Sequence, residues 1–347
     1  MLPILLSLAN SFADPTTAAE ETPWLRQTDL FISGQDSVSI YRIPSLLVAP
    51  SGAVLAFCEA REGDDGDPTD LVLKRSRCED PPRPTMMFNG YPRTFGYGVT
   101  WDPLRVVLPG EGNATMNPCP VVNRASGDIL LCTYRALGGL QSHLQRPFEG
   151  PLLLTTSKDE GVTWSPPRDL KPEVGDFIAG PGVGIQLRDG RIVIPGYSPV
   201  GPGGGTASRV IFSDDHGQSW HAGAMVDAAT DESQVVELTE GVVMLNARSN
   251  RGRWCRYVAT SGDGGQTRET QGDELALPET QCQASLVARD HAAPAGLEHW
   301  LLFSNPANPG PWAACTRLTV RLSCDLGATW VSAPVVKCAE RRSESAQ

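Results

Sequence analysis

No run of 18 or more apolar residues occurs in the 347-residue chain, so no segment is long enough to cross a bilayer as a helix. Basic side chains are in deficit: 29 Lys and Arg stand against 40 Asp and Glu, a net charge of −11 with no basic stripe. That excludes nucleic acid as the main partner. It does not exclude an anionic small ligand, because a few buried arginines bind one whatever the surface charge. The nine cysteines are scattered and form no C-x-x-C pair, which indicates neither a zinc site nor a disulfide framework. The five histidines form no H-E-x-x-H, and G-x-S-x-G is absent. Gly201-Pro202-Gly203-Gly204-Gly205 lacks the Lys-Ser/Thr of a phosphate loop and reads as a flexible loop. No metal and no cofactor is implied.

Glycine and proline, in contrast, are abundant at 64 residues, about 18% against a usual ~12%. Each costs a helix interior about 1–3 kcal/mol relative to Ala, so the chain reads as all-β and rich in turns. At the N-terminus, apolar residues 2–9 and the following Ser11-Phe12-Ala13 fit a signal peptide cut after Ala13, although no basic residue precedes them. The compartment stays open: lysosomal or secreted with such a signal, cytoplasmic or membrane-associated without it. Asn113-Ala114-Thr115 fits a glycosylation sequon.

One pattern recurs. It reads Ser157-Lys158-Asp159-Glu160-Gly161-Val162-Thr163-Trp164, then Ser213-Asp214-Asp215-His216-Gly217-Gln218-Ser219-Trp220. A third copy, Ser261-Gly262-Asp263-Gly264-Gly265-Gln266-Thr267, has Arg268 in place of Trp, and the last is Ser323-Cys324-Asp325-Leu326-Gly327-Ala328-Thr329-Trp330. The Asp is expected to bond the backbone two residues on. The Gly supplies a positive φ, Ser and Thr close side-chain bonds, and the Trp leaves the turn as an apolar anchor. A strand-like run precedes each copy, so each unit is a hairpin with a fixed tip. The copies start 56, 48 and 62 residues apart, and ~40–60 residues is the length of one four-stranded propeller blade.

These repeats resemble the Asp-boxes of sialidases. Tyr41-Arg42-Ile43-Pro44 looks like the Arg-Ile-Pro motif of that family, and Leu55–Arg61, an acidic loop and Leu71–Ser76 follow in the family's order. Met116–Pro120, Ala179-Gly180-Pro181-Gly182, Leu245-Asn246-Ala247-Arg248-Ser249 and Phe303–Pro306 resemble segments of the animal cytosolic and lysosomal group. The resemblance implies a six-bladed β-propeller with the sialidase fold. It would span residues 29–335, between a tail of residues 1–28 and a polar tail of residues 336–347. It also implies an exo-α-sialidase that releases terminal sialic acid from glycoproteins, gangliosides and oligosaccharides. The alternatives are a lectin-like propeller that binds sialic acid without cleaving it, and a scaffold that has lost the pocket.

The resemblance assigns roles residue by residue. Sialic acid carries a carboxylate, which guanidinium groups bind with bidentate geometry. Arg42 and Arg248 match two members of the family's arginine triad. The third position falls on Cys315 by pattern, and Arg317, two residues on, would share its strand face; both readings stand. Asp65 matches the acid/base, with Asp64 one residue away. Arg61 matches an arginine that contacts substrate. Glu232 matches the glutamate that activates a nucleophilic Tyr, with Glu237 the nearest competitor. Glu173 and Tyr197 match pocket positions.

Two departures stand out. The nucleophilic Tyr of the family lies beyond the last box, but the 17 residues after Trp330 contain none. The last blade is therefore expected to be truncated, or the ring to close with fewer blades. Ser76-Arg77-Cys78-Glu79 opens like a box and Gly98-Val99-Thr100-Trp101 closes like one, 26 residues apart where a box needs 8. Residues 79–97 thus read as an insertion, or as the product of a retained intron.

Overall fold

A computed structural model describes residues 28–77, 86–88, 91–93, 100–138, 148–201, 205–288, 299–310 and 317–333. The signal-peptide reading, most of the 79–97 insertion, Cys315 and the 336–347 tail lie outside these. Phe31–Gln347 forms one compact unit. Among the described residues no helix is long and apolar enough to cross a membrane.

The described residues fold into five successive antiparallel meanders. Sheet 1 holds β1 (Ile40–Val48), β2 (Val54–Arg61), β3 (Thr69–Arg77) and the edge strands β6 (Thr100–Trp101) and β7 (Arg105–Leu108). The hairpin β4 (Met86–Phe88) and β5 (Tyr91–Arg93) lies in the long connection after β3. Sheet 2 is β8 (Ala114–Val122), β9 (Ile129–Ala136), β10 (Leu152–Ser157) and β11 (Arg168–Asp169), whose one strand pairing with sheet 1 among the described residues is that of Thr69 with Ala114. In sheet 3, β12 (Ile178–Ala179) and β13 (Ile185–Gln186) both pair with β14 (Ile192–Val200), followed by β15 (Gly205–Ser213) and β16 (His221–Ala222). Sheet 4 is β17 (Thr230–Thr239), β18 (Val242–Ser249), β19 (Cys255–Ser261) and β20 (Thr270–Pro278). Sheet 5 is β21 (Ser285–Ala288), β22 (Leu301–Pro306), β23 (Leu318–Ser323) and β24 (Val331–Ala333). Apolar clusters fill each interval between neighbours. Leu55, Phe57 and Leu131 pack sheet 1 on 2, Leu130, Ile194 and Trp220 pack 2 on 3, Val193, Val210 and Leu245 pack 3 on 4, and Val236, Met244 and Phe303 pack 4 on 5.

The four repeats join the third strand of sheets 2, 3, 4 and 5 to the fourth, and all four close alike. The Ser hydroxyl accepts the Gly N–H (Ser157 and Gly161 at 2.7 Å) and donates to the Asp carboxylate (2.9 Å). That carboxylate takes the backbone N–H (2.8 Å) and hydroxyl (2.5 Å) of the Thr four residues on. The span is therefore four residues, not the expected two. Burial works slightly against the Asp charge, but these bonds outweigh it and lower Asp215 and Asp263 to about 2. The residue before each Gly also has positive φ: Glu160 (54°), His216 (61°), Gly264 (68°) and Leu326 (58°).

The box Gly answers to packing as well as to φ. A Cβ on Gly161 would lie 2.6 Å from Leu55, on Gly217 2.4 Å from Leu130, on Gly265 2.5 Å from Val210 and on Gly327 2.7 Å from Met244. Each of these partners belongs to the preceding sheet. Trp164 likewise meets Phe57 of the preceding sheet edge-on, while Trp330 meets Phe303 of its own sheet, both at 5.9 Å. In the third copy Arg268 instead donates to the Met225 carbonyl.

Candidate active site

The first strands of sheets 1, 2 and 4 are irregular near their starts. Pairing of β1 with β2 slips between Arg42 and Ser45, where Ile43 has φ 54°. A β-branched residue rarely adopts that conformation, and the bulge it makes re-aims its neighbours. Arg42 is exposed, and its carbonyl accepts the Cys58 thiol at 3.0 Å. β8 slips between Met116 and Cys119 around Asn117 (φ 58°), and β17 slips between Thr230 and Ser233, around Asp231 and Glu232.

At the end of β2, opposite Arg42, lies Glu59, which is fully buried. Its Oε2 accepts Arg61 Nε at 2.8 Å and also Arg61 Nη2, and its Oε1 accepts the Asn117 N–H of sheet 2 at 2.7 Å. Arg61, 3% exposed, gives its Nη1 to Asp65. Burial pushes Glu59 up to about 7, against the pull of Arg61. Around it, the acidic loop sorts its carboxylates. Asp67 accepts the Asp64 N–H (2.8 Å) and closes the loop, while Asp70 accepts the Gly110 N–H (2.7 Å). Asp65 is left solvent-facing on the buried arginine, its side chain 63% exposed.

Across the axis, Arg248 on β18 gives Nη1 to Glu232 at 2.9 Å, with its Nε 3.5 Å from Asp231. Asp231 also accepts Asn250 Nδ2 at 2.7 Å. Burial raises the affinity of Glu232 and Asp231 for a proton, and Arg248 opposes it. Burial works against the charge of Arg248, and the two carboxylates outweigh it and keep it charged. Behind Arg248, a fully buried pair braces the end of β18: Arg256 bonds Glu279 at 2.7 Å, and Glu279 takes the Ser249 N–H at 2.7 Å. Tyr197 on β14 lies edge-on to Phe148 (6.1 Å) in an apolar wall with Met116, Tyr134 and Ile178. Burial, then the charges of Glu232 and Asp231, hold its phenol well above its ordinary pKa.

The structure thus links Asp65, Arg61, Glu59 and Asn117 on one side, and groups Tyr197, Glu232 and Arg248 on the other. It does not bring Glu173 to either group. That residue sits in the single helical turn Lys171–Val174, and its carboxylate binds the Trp220 N–H (2.8 Å) and Arg168 at the box end of sheet 3. Arg317 is exposed with φ 59° just before β23, where its carbonyl accepts Ala307 N–H and Thr319 Oγ1. Glu237 bonds the backbone of Arg188 and Gly241, farther along β17. It lines a cavity of about 290 Å³ together with Leu47, Val121, Val183, Val235 and Leu286, and no other candidate residue lines that cavity. Glu59, Asp231, Asn117 and the Arg256–Glu279 pair were not anticipated. Their one signal is a polar residue inside an apolar strand run.

Successive antiparallel sheets packed face to face, each of the last four with its outer two strands joined by a Ser/Asp/Gly turn, define a propeller-type repeat protein. The BNR repeat-like domain matches residues 53–344. The chain is 33% identical over 330 residues to a sialidase of Micromonospora viridifaciens, covering 89% of this chain and 48% of that one. It is 32% identical over 303 residues to sialidase-3 of Homo sapiens, covering 79% and 66%. The structure of a Hadza microbial sialidase matches with a TM-score of 0.71 at 29% identity, over 86% of this chain and 59% of that one. The chain belongs to the sialidase family. It spans about half to two thirds of the length of these relatives.

Proposed function

We propose that the chain is an exo-α-sialidase acting on terminal sialic acid of glycoproteins, gangliosides and oligosaccharides. In this reading Arg42 and Arg248 hold the sugar carboxylate. Asp65 is the acid/base, Glu232 the partner of a nucleophilic phenol, and Arg61 and Tyr197 shape the pocket, with Arg317 the candidate third clamp. The observation that carries it is Arg248, half-buried and held charged by Glu232 and Asp231 near Tyr197. A half-buried guanidinium with flanking carboxylates suits an anionic sugar whose leaving oxygen needs a proton. Tyr197 itself is a poor nucleophile, because burial and adjacent negative charge keep its proton on. That favours a second reading, a lectin-like propeller without the covalent step.

The architecture we infer is six-bladed. Val287, Leu302, Leu322 and Val331 form an apolar row across all four strands on the face of sheet 5 away from sheet 4, and Leu302 and Val331 are 46% and 68% exposed. Leu46 and Val48 of sheet 1 are equally open at 61% and 62%. Both faces are suited to a further sheet.

The test is hydrolysis of a fluorogenic sialoside by the purified chain beside Asp65→Ala. Release by the parent alone supports the enzyme. No release above that control sinks the enzyme reading. Sialic acid binding that survives Asp65→Ala but not Arg42→Ala then marks the lectin.

A further inference from the structure

The segment Gly180-Pro181-Gly182, between β12 and β13, is fastened to every other sheet. Ser45 Oγ of sheet 1 donates to the Gly182 carbonyl at 2.5 Å. The Gly182 N–H donates to the Pro118 carbonyl of sheet 2 at 3.2 Å, and Asn117 Nδ2 reaches the preceding Ala179 carbonyl at 3.0 Å. Gln234 of sheet 4 donates to the Pro181 carbonyl at 2.9 Å, and Gln283, just before sheet 5, donates to the same oxygen. Ser45, Asn117 and Gln234 are 4%, 6% and 2% exposed.

The glycines are required by this convergence. A Cβ on Gly182 would lie 2.1 Å from Gln234 Nε2, and one on Gly180 would lie 2.8 Å from the Ser233 carbonyl. Each tether also sits beside a residue of the proposed site. Ser45 is three residues after Arg42, and Gln234 is two after Glu232. Asn117 holds Glu59 and thereby Arg61 and Asp65. Next to Gln283, the Cys282 carbonyl accepts Arg256, the brace behind Arg248, at 3.0 Å.

A bulge breaks the strand ladder, so its conformation needs outside support. Here that support comes from one peptide for all the bulged strands. We propose that Gly180-Pro181-Gly182 is the positioning hub of the site, and that Gln234 and Gln283 are positioning residues that set Arg248 and Glu232 against Arg42 and Asp65. This rests on the sialic-acid reading above for its ligand, but not for its geometry.

The experiment uses Gln283→Met and Gln234→Leu, with Ser157→Ala as a control that weakens a distant box. Amide hydrogen exchange of Gly182 is read without ligand, and sialic acid affinity by calorimetry. With one tether lost, Gly182 exchange is expected to rise about five- to ten-fold and affinity to fall by a similar factor. Ser157→Ala should lower the melting temperature yet hold affinity within about two-fold. Unchanged Gly182 exchange in both glutamine variants overturns the hub. Equal affinity loss in the control overturns positioning in favour of general stability. If the parent chain binds no sialic acid, the functional reading fails, and the exchange measurement still decides the hub.

Discussion

Glu59 gives the sharpest quantitative test of the structure, because its burial is complete and its partners are all assigned. Its carboxyl is displaced from 4.5 to about 7 by burial, with Arg61, the Asn117 N–H and Asp65 the polar groups around it. A raised carboxyl titrates later in the folded chain than in the unfolded one. Below pH 4.5 both states carry the proton and the group is neutral to stability. Between pH 4.5 and 7 the unfolded chain releases its proton first, so stability falls as pH rises, and above 7 the loss is complete. The displacement corresponds to about 3 kcal/mol in full, of which about 2.5 kcal/mol accrues between pH 5 and 8. Glu59→Gln removes this titration. Its absolute stability shifts by an offset, because Arg61 loses an ionic partner, but the offset does not titrate with Glu59. Urea unfolding followed by the fluorescence of the eight tryptophans, at pH 5, 6, 7 and 8, gives the difference between variant and parent. That difference should grow in favour of the variant by about 2.5 kcal/mol across the range. Asp231, Glu232 and Glu279 are also displaced upward, but they titrate in both chains and cancel. A difference that stays constant with pH would refute the buried, upward-shifted carboxyl.

Other outcomes follow from the same contacts. Ser157→Ala leaves the buried Gly161 N–H without its acceptor and should cost about 1–3 kcal/mol in urea unfolding. Gly217→Ala places a Cβ 2.4 Å from Leu130 at φ 90°, so it should lose more than about 2 kcal/mol. Gly201→Ala, at φ 64° with open space around it, should lose only about 1–2 kcal/mol. Glu173→Gln should lower stability by about 1–2 kcal/mol by weakening its bonds to Trp220 and Arg168. Sialoside affinity should be unchanged by it, and a clear loss would return Glu173 to the pocket.

What the sequence makes legible is what a local turn dictates. Ser, Asp, Gly and Thr recur because one hydroxyl and one carboxylate must reach fixed backbone groups, so the boxes can be read without knowing their neighbours. The positive φ before the Gly is invisible, since Glu160, His216 and Leu326 share no side-chain chemistry. Asp64 and Asp65 are adjacent in the sequence, and it is Asp65 that contacts Arg61. Glu173 matches a pocket position by family resemblance alone, whereas its helical turn directs the carboxylate to the next box. The environment of Glu59 depends on Asn117, 58 residues away, and that of Pro181 on Gln283, 102 residues away. No local pattern encodes such meetings; they exist only once the sheets are arranged.

The same reasoning explains why the candidate site lies where the strands are least regular. A regular ladder satisfies its own backbone and points side chains to alternate faces of the sheet, which serves packing between sheets but aims little at the axis. A bulge frees backbone groups and turns a side chain out of that alternation. The freed groups must then be bonded in a dry interior. At the bulges the Arg42 carbonyl takes the Cys58 thiol, the Asn117 N–H reaches Glu59, the Pro118 carbonyl takes the Gly182 N–H and the Asp231 carbonyl takes the Ser208 hydroxyl. The groups that repair the bulges of sheets 2 and 4 are therefore also those that register one sheet against the next. The strands that carry Arg42 and Glu232 are thus registered by the side chains of the neighbouring Ser45 and Gln234, although the five sheets share few backbone hydrogen bonds.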